Sequence, residues 1–410
     1  MLRSAALCLA LATTASVLPR SRAFSSTARG GPPSWSDLEA RLPSALVPGP
    51  AVYGVGEGPE AADLKGKTVL YRDSNGWCPH SEQAWLALEV KGIDYVTVLI
   101  DGDDNGCYDE PGTTLPRLEW ADGTVHVGSA DMVALLEKAE EVRPGSPDFF
   151  PDISVSVDIV RMSIQRRFGG QMPRFTKPSG TAPFVYRADK AAKEGEIVQE
   201  FKYQVSLEEI EETLEEYEDG PFIAGEDVTA ADIFWLPFLE RFAAHLPILY
   251  GGLRPRSQAF EAIQDFYDAT DAIPCYACRV KGRGETWRRV LRARHPDLET
   301  IDDEVAGPPV DLPAERSYKP DSIWSRYANG RSHLAPSPAA EAAARIVRDR
   351  DVIAEAAAAA CATLSGGEVD SALRELCGIL SSTGDAEAVA EAAKKLSGDA
   401  REVAAFLDGG

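Results

Sequence analysis

The sequence predicts an α/β domain, then an all-helical domain, then a separate helical extension at the C-terminus. Three observations carry this reading. Between residues 67 and 140, short β-branched runs and amphipathic stretches alternate in the order β-α-β, then β-β-α. From about Asp152 the strand signals stop and helical periodicity dominates to about Arg292. From Ser337 the chain becomes Ala-rich, with apolar residues at helical spacing.

The elements follow in order. Thr68 to Tyr71 reads as a short buried strand, and Tyr95 to Ile100 as a second. Between them Ser81 to Lys91 holds helix formers, with Trp85 and Leu88 on one face and Gly92 where a helix C′ residue belongs. An acidic, Gly-rich loop, Asp101 to Gly112, follows. "LPRLEW" and "TVHV" read as a hairpin around Asp122 and Gly123, a favoured tight-turn pair, and Ser129 to Ala139 as a helix. In the second domain Ile153 to Phe168 reads as a helix, and "GGQMPRFTKPSGTAP" as a long loop. Ser206 and Glu209 have capping-box spacing, with Leu207, Ile210, Leu214 and Tyr217 on one face behind them. Thr229 and Asp232 repeat the cap spacing before an apolar helix that Pro237 should bend or interrupt. Residues 293–336 are Pro-rich and read as irregular. Ser337-Pro338 suits an N-cap and first-turn proline for an extension, 337–410, of three or four short helices. Val369, Leu373, Leu376, Cys377 and Leu380 form its apolar stripe.

Composition bounds the function. Hydrophobic residues make up 44% of the 410, enough to bury real cores. The formal net charge of −23 argues against a nucleic-acid partner, because phosphate contacts need clustered Lys and Arg. Residues 1–36 differ from the rest: they carry Arg3, Arg20, Arg22 and Arg29 and no Asp or Glu. Their apolar run, Ala5 to Ala12, is too short for a transmembrane segment, so 1–36 reads as a targeting segment. The run followed by Ala23-Phe24 and a Ser/Thr/Arg stretch resembles a plastid leader, which implies the chloroplast stroma; "RAFSS" also resembles a mitochondrial presequence, which keeps the mitochondrion as the alternative. Residues 37–66 are rich in Pro and Gly and read as a linker. The seven cysteines are scattered and form no disulfide framework, which fits a reducing compartment.

Candidate chemistry concentrates in "NGWCPHSEQAW", Asn75 to Trp85. Cys78 stands where a strand gives way to a helix, and unpaired N–H groups with a positive dipole at a helix start stabilise a thiolate. Pro79 suits the first helical position, and His80 adds positive charge when protonated. Ser81 takes the place of a second cysteine, so Cys78 closes no disulfide within the motif and a monothiol cycle follows. Cys275 and Cys278 form a lone C-x-x-C without a second pair, so they read as structural thiols rather than a metal site. Cys107 is a candidate resolving thiol; His126 reads as structural, and Trp235 and Phe238 as core packing.

These residues resemble the glutathione transferases. "WCPHS" resembles the Cys-Pro motif of the cysteine-type members (the omega and lambda classes and the dehydroascorbate reductases), and "TLPRL" the family's cis-proline position, here Pro116. "GSADMVALLE" resembles its Glu/Gln-Ser motif, and "FIAGEDVTAADIFWLPFLERF" the capping box and buried helix of its second domain. "LPFLERFAAHLPILYG" with "AIPCYACRVKG" is similar to a plastid-type branch of plants and algae. The resemblance covers roughly residues 66–292 and implies a thioredoxin-like N-terminal domain (67–140), an all-helical transferase domain (152–292), and glutathione as cosubstrate with no metal. It implies that Cys78 is the nucleophile, that the chain at Leu115 and Pro116 pairs with the cysteinyl part of glutathione, and that Ser129 holds the γ-glutamyl carboxylate. Two departures are visible. Gly128 stands where the family has Glu or Gln, and residues 101–114 contain no Lys, Arg or His for the glycine carboxylate. Arg117 is the nearest candidate to supply that cation.

The expected activity is a glutathione-dependent thiol transfer or reduction, with a small-molecule or protein-thiol acceptor. The alternative is a non-catalytic module that docks onto a larger assembly, or pairs with a second copy, through its fold and residues 337–410. A conjugating enzyme using the hydroxyl of Tyr71 or Ser74 is the third reading.

Overall fold

The computed structural model describes residues 31–55, 59–74, 76, 78–100, 115–151, 192–215, 220–249, 253–282, 320–382 and 386–409. These fall into two compact units, one of residues 31–49 with 320–409 and the other of residues 50–282. In chain order the first unit begins with α1 (Trp35–Arg41). The second unit holds β1 (Val52–Tyr53), α2 (Ala61–Leu64), β2 (Val69–Asp73), α3 (Pro79–Lys91), β3 (Val96–Ile100), β4 (Arg117–Glu119), β5 (Val125–Val127), α4 (Ser129–Leu136), α5 (Ala192–Glu215), α6 (Ala230–Leu249) and α7 (Glu261–Asp271). A π-helical turn, Tyr276–Val280, closes its described part. The chain then returns to the first unit with α8 (Pro320–Ala328), α9 (Pro338–Arg348), α10 (Arg350–Ala360), α11 (Gly366–Leu380), α12 (Ala386–Ala393) and α13 (Gly398–Gly409).

In the second unit a mixed five-stranded sheet runs β1-β3-β2-β4-β5. β2 pairs parallel with β3 and antiparallel with β4, so α3 makes the crossover that a parallel pair requires. α3 starts with Pro79 at its first position and stops at Gly92, whose φ of 65° and ψ of 29° place it in the left-handed region as a C′ residue. A side chain at Gly92 would also meet Arg143 Cβ at 2.9 Å, so glycine is required twice over. The hairpin turns at Gly123, where φ is 87°, and the Thr124 N–H donates to Asp122 Oδ1 at 2.7 Å. Leu70, Leu118, Ala84, Leu88, Met132 and Val133 from the sheet, α3 and α4 share one core with Leu207, Ile233, Trp235 and Leu239 of the helical part. Among the described residues this is the thioredoxin-like α/β domain followed by a helical domain that the sequence predicts.

Several expectations are corrected. Ser206 is no cap: α5 runs unbroken through it for 24 residues, and Ser206 is buried inside the helix. A cap needs a residue that has not yet turned helical, and this segment is already wound. α6 contains both Pro237 and Pro247, and neither, having no N–H, can donate a helical bond. Residues 37–66 are not a simple linker. They hold part of α1, a 3₁₀ turn at Pro43–Leu46, and β1, which pairs with β3 at Val52↔Thr97. Ser34, Trp35 and Ser36, read as part of the targeting segment, belong to the folded unit: Ser34 caps α1 in a reciprocal capping box with Asp37. The irregular stretch 293–336 contains α8, whose Ile323, Trp324 and Tyr327 are buried. The extension from Ser337 holds five helices among the described residues, with Val369, Leu373, Leu376, Cys377 and Leu380 buried as one stripe. The expected helix 153–168, the loop 169–183, Cys107, the loop 101–114, Trp77 and Tyr217 lie outside the described residues.

Candidate functional site

Strand register brings Pro116 to the end of the sheet at which β2 leads on toward Cys78. Tyr71 lies opposite Arg117 in the β2–β4 ladder, so Pro116 sits beside the C-terminal end of β2, from which the chain leads to Cys78. The Leu115–Pro116 peptide is cis. Arg117 lies opposite Val127, and the Gly128 N–H donates to the Pro116 carbonyl at 3.2 Å, which sets the start of α4 alongside. Gly128 precedes α4 with φ 95°, a left-handed value that glycine adopts without strain and Glu or Gln would not.

Cys78 is the N-cap of α3, with φ −75° and ψ 114°. Its carbonyl accepts the first helical bond from the Glu82 N–H at 3.0 Å, and its own N–H donates to Asp73 Oδ2 at 3.3 Å. The half-buried thiol is pushed up to about 11, first by burial and then by the Asp73 carboxylate. The Ser81 hydroxyl and the backbone N–H groups of Ser81 and His80 pull the other way. The helix start therefore acts with the expected sign, but burial and a neighbouring anion outweigh it: in the free protein the thiol is protonated at neutral pH.

Ser129, the first residue of α4, is buried, and its hydroxyl donates to Gln83 Oε1 at 2.6 Å. Gln83 also contacts His80 Nδ1 at 3.2 Å, and its amide N–H donates to the Phe234 carbonyl of α6 at 3.0 Å. One buried amide thus joins the starts of α3 and α4 to the helical domain. His80 keeps exposed surface while its ring meets Phe238 edge-on at 6.1 Å; the surrounding protein lowers the imidazole pKa by desolvation, and the remaining contact with water tempers that effect.

Below this lies a buried ion pair. Arg241 Nη1 of α6 sits 2.7 Å from Glu82 Oε2, with 0% and 4% of the side chains exposed. Burial raises the Glu82 carboxyl well above its ordinary value, against the pull of Arg241. Glu240 accepts from the Tyr276 hydroxyl at 3.1 Å and the Gly282 N–H at 2.7 Å.

The remaining candidates fall outside the site. The Arg117 guanidinium stacks 4.4 Å over Tyr71 and pairs with Glu119 at 3.0 Å. The Tyr71 hydroxyl donates to the same Glu119, and burial raises its pKa, which disfavours it as a nucleophile. Cys275 is buried and Cys278 half-buried, and neither forms a disulfide. Among the described residues no group of His, Cys, Asp and Glu could hold a metal ion, and no helix is long and apolar enough to cross a membrane. Trp235 and Phe238 are buried as core. His126 faces Leu118 across the β4–β5 ladder.

Asp73, Gln83, Glu82 and Arg241 were missed by the sequence reading. A signal existed for the last two: each is a charge in a mostly apolar helical run, "SEQAWLAL" and "FLERFAA". Nothing local marks Asp73, which reads as an ordinary strand-end aspartate.

Residues 77–139 match the family model for the N-terminal domain of glutathione S-transferases, and residues 200–269 the model for their C-terminal domain. Protein IN2-1 of Zea mays is 26% identical over 234 residues, covering 56% of this chain and 85% of that protein. Among solved structures, a Chlamydomonas reinhardtii dehydroascorbate reductase is 20% identical, with a TM-score of 0.40 over 56% of this chain and 98% of that one. A trimeric glutathione transferase of Leishmania is 21% identical with a TM-score of 0.44 over 58% of this chain, and the match spans about half, 52%, of that protein.

Proposed function

We propose that the second unit, which carries the N- and C-terminal domains of the glutathione S-transferase superfamily, uses Cys78 as a monothiol nucleophile with glutathione as cosubstrate. The observation that carries this reading is the placement of Cys78 at the start of α3, with Pro116 just before β4 beside the end of β2 and Ser129 bonded to Gln83 of α3. The chemistry is thiol–disulfide exchange. The Cys78 thiolate attacks the glutathionyl sulfur of a mixed disulfide. The S–S bond breaks, and the acceptor leaves as a thiolate that takes a proton from water. A second glutathione thiolate then attacks the glutathionyl sulfur now bonded to Cys78; that S–S bond breaks, releasing oxidised glutathione and leaving Cys78 as the thiolate. The start of α4, with Ser129, offers an anion site for the γ-glutamyl carboxylate, and the extended chain at Leu115 offers backbone for the cysteinyl part.

A second reading has its own observation. A thiol at about 11 in the free protein is a poor nucleophile, which favours a docking module that keeps the fold without the catalysis. The pH dependence of Cys78 alkylation, measured with and without glutathione, decides between them. The catalytic reading expects protection by glutathione, a midpoint that falls when glutathione is bound, and loss of mixed-disulfide reduction in Cys78→Ser. Absence of protection, with Cys78→Ser as fast as the wild type, would overturn it.

A further inference from the structure

Asp73 ends β2 with its side chain fully buried, and it is fixed from several directions. It pairs with Ile100 of β3, and its carbonyl accepts from Arg72 Nη1 at 2.8 Å and from the Gly76 N–H at 3.4 Å. Its carboxylate accepts the N–H of Cys78 itself at 3.3 Å. A second negative charge created beside a buried carboxylate is disfavoured, and the low local dielectric strengthens the effect. The charged groups around the thiol leave that anion in control. Arg72 stacks on Trp85 at 4.3 Å and bonds the Asp73 carbonyl. Arg241 reaches toward Cys78 from α6 but is held by Glu82 at 2.7 Å. His80 is turned to Gln83, and the shift in its pKa favours the neutral ring.

We propose that Asp73 is a charge brake on Cys78 that selects cationic thiol and disulfide partners: on top of burial, its carboxylate opposes formation of the thiolate until a partner brings positive charge to the site. This rests on the reading of Cys78 as a thiol nucleophile and adds the charge class of its partner. A cationic disulfide offsets the carboxylate as the thiolate forms; an anionic one adds to the repulsion. The chain's net charge of −23 works in the same direction at longer range.

The test uses the full chain and two symmetric small disulfides, cystamine with two positive charges and 3,3′-dithiodipropionate with two negative ones. Exchange at Cys78 is followed by mass spectrometry of its peptide. In each reaction the Cys78 thiolate attacks one sulfur, the S–S bond breaks, one half stays on Cys78, and the other leaves as a thiolate and is protonated. At low salt the wild type should react at least about tenfold faster with cystamine. Asp73→Asn keeps an oxygen to accept the Cys78 N–H, so the loop geometry is preserved. It should lower the midpoint of iodoacetamide alkylation by about one pH unit or more, and most of the charge preference should disappear. An unchanged midpoint, or a preference that survives in Asp73→Asn, overturns the proposal. If that variant does not fold, a wild-type rate ratio near one overturns it alone. If Asp73→Asn behaves as described while glutathione fails to protect Cys78, the brake stands and the glutathione reading falls.

Discussion

Asp232 shows how a single side chain can serve the fold at a pH cost. Its Oδ1 accepts the Ile223 N–H at 2.9 Å, and its Oδ2 accepts the Thr229 N–H at 2.7 Å and hydroxyl at 2.8 Å. Those donors favour the anion, but burial outweighs them and raises the carboxyl to about 6. In the unfolded chain it titrates near 4. Between these values the folded state holds more protons than the unfolded one. The stability from Asp232 is therefore fully present below about pH 4 and lost as pH rises through 6, by about 3 kcal/mol. Asp232→Asn should remove that slope. The gap in urea midpoint between wild type and variant should shrink as pH rises from 4 to 6; a gap that widens would refute the assignment. The cap spacing of Thr229 and Asp232 was legible in the sequence. The shift was not, because burial comes from packing.

At the scale of elements, α3 and α6 are locked by Glu82 and Arg241, 159 residues apart. Removing one partner of a buried pair strands the other charge, so Arg241→Met should cost about 3–5 kcal/mol. Gln at 82 leaves no charge to strand, so the Glu82→Gln/Arg241→Met double variant should lose less than Arg241→Met alone. Thermal melts of the variants check this, and equal losses would sink the idea. Local signals placed α3 well: the helix expected over Ser81–Lys91 begins at Pro79 and ends at Gly92 as the C′ glycine requires. They failed at β1, where a two-residue strand is too short for any alternation to show. They failed at Ser206 because the same residues fit a cap or a helix interior, and packing of the flanking turns chose the interior.

At the scale of the whole molecule, the chain's two ends build one unit. Leu38, Leu42 and Ala45 enter a core with Ala342, Ala343, Leu373 and Cys377. Trp35 Nε1 donates to Asp370 at 2.7 Å, Arg374 Nη1 reaches the Pro33 carbonyl at 3.2 Å, and Arg348 reaches the Ser44 carbonyl at 3.2 Å. In sequence, therefore, the second unit is inserted between the two segments of the first. Leu38, fully buried, should be among the most sensitive positions: Leu38→Ala should cost about 3 kcal/mol. Hydrogen exchange in the full chain should show that loss across α9 to α13 while α3 and β2 keep their protection. Unchanged protection in α9 to α13 would contradict the shared core.

The sequence alone determined the fold class, the Cys-Pro start of α3, the Gly92 stop, the Asp122-Gly123 turn and the order of Cys78, Pro116 and Ser129. Each depends on residues close together in the chain, where backbone sterics and periodicity act directly. The tertiary structure alone decided what surrounds those residues. It set Asp73 against Cys78, gave the Ser129 hydroxyl to Gln83, paired Glu82 with Arg241, and drew residues 32–46 into the C-terminal helices. Charge and burial act through space. A thiol that local sequence marks as activated is therefore held protonated first by its own burial and then by a buried carboxylate, and no local pattern could show either.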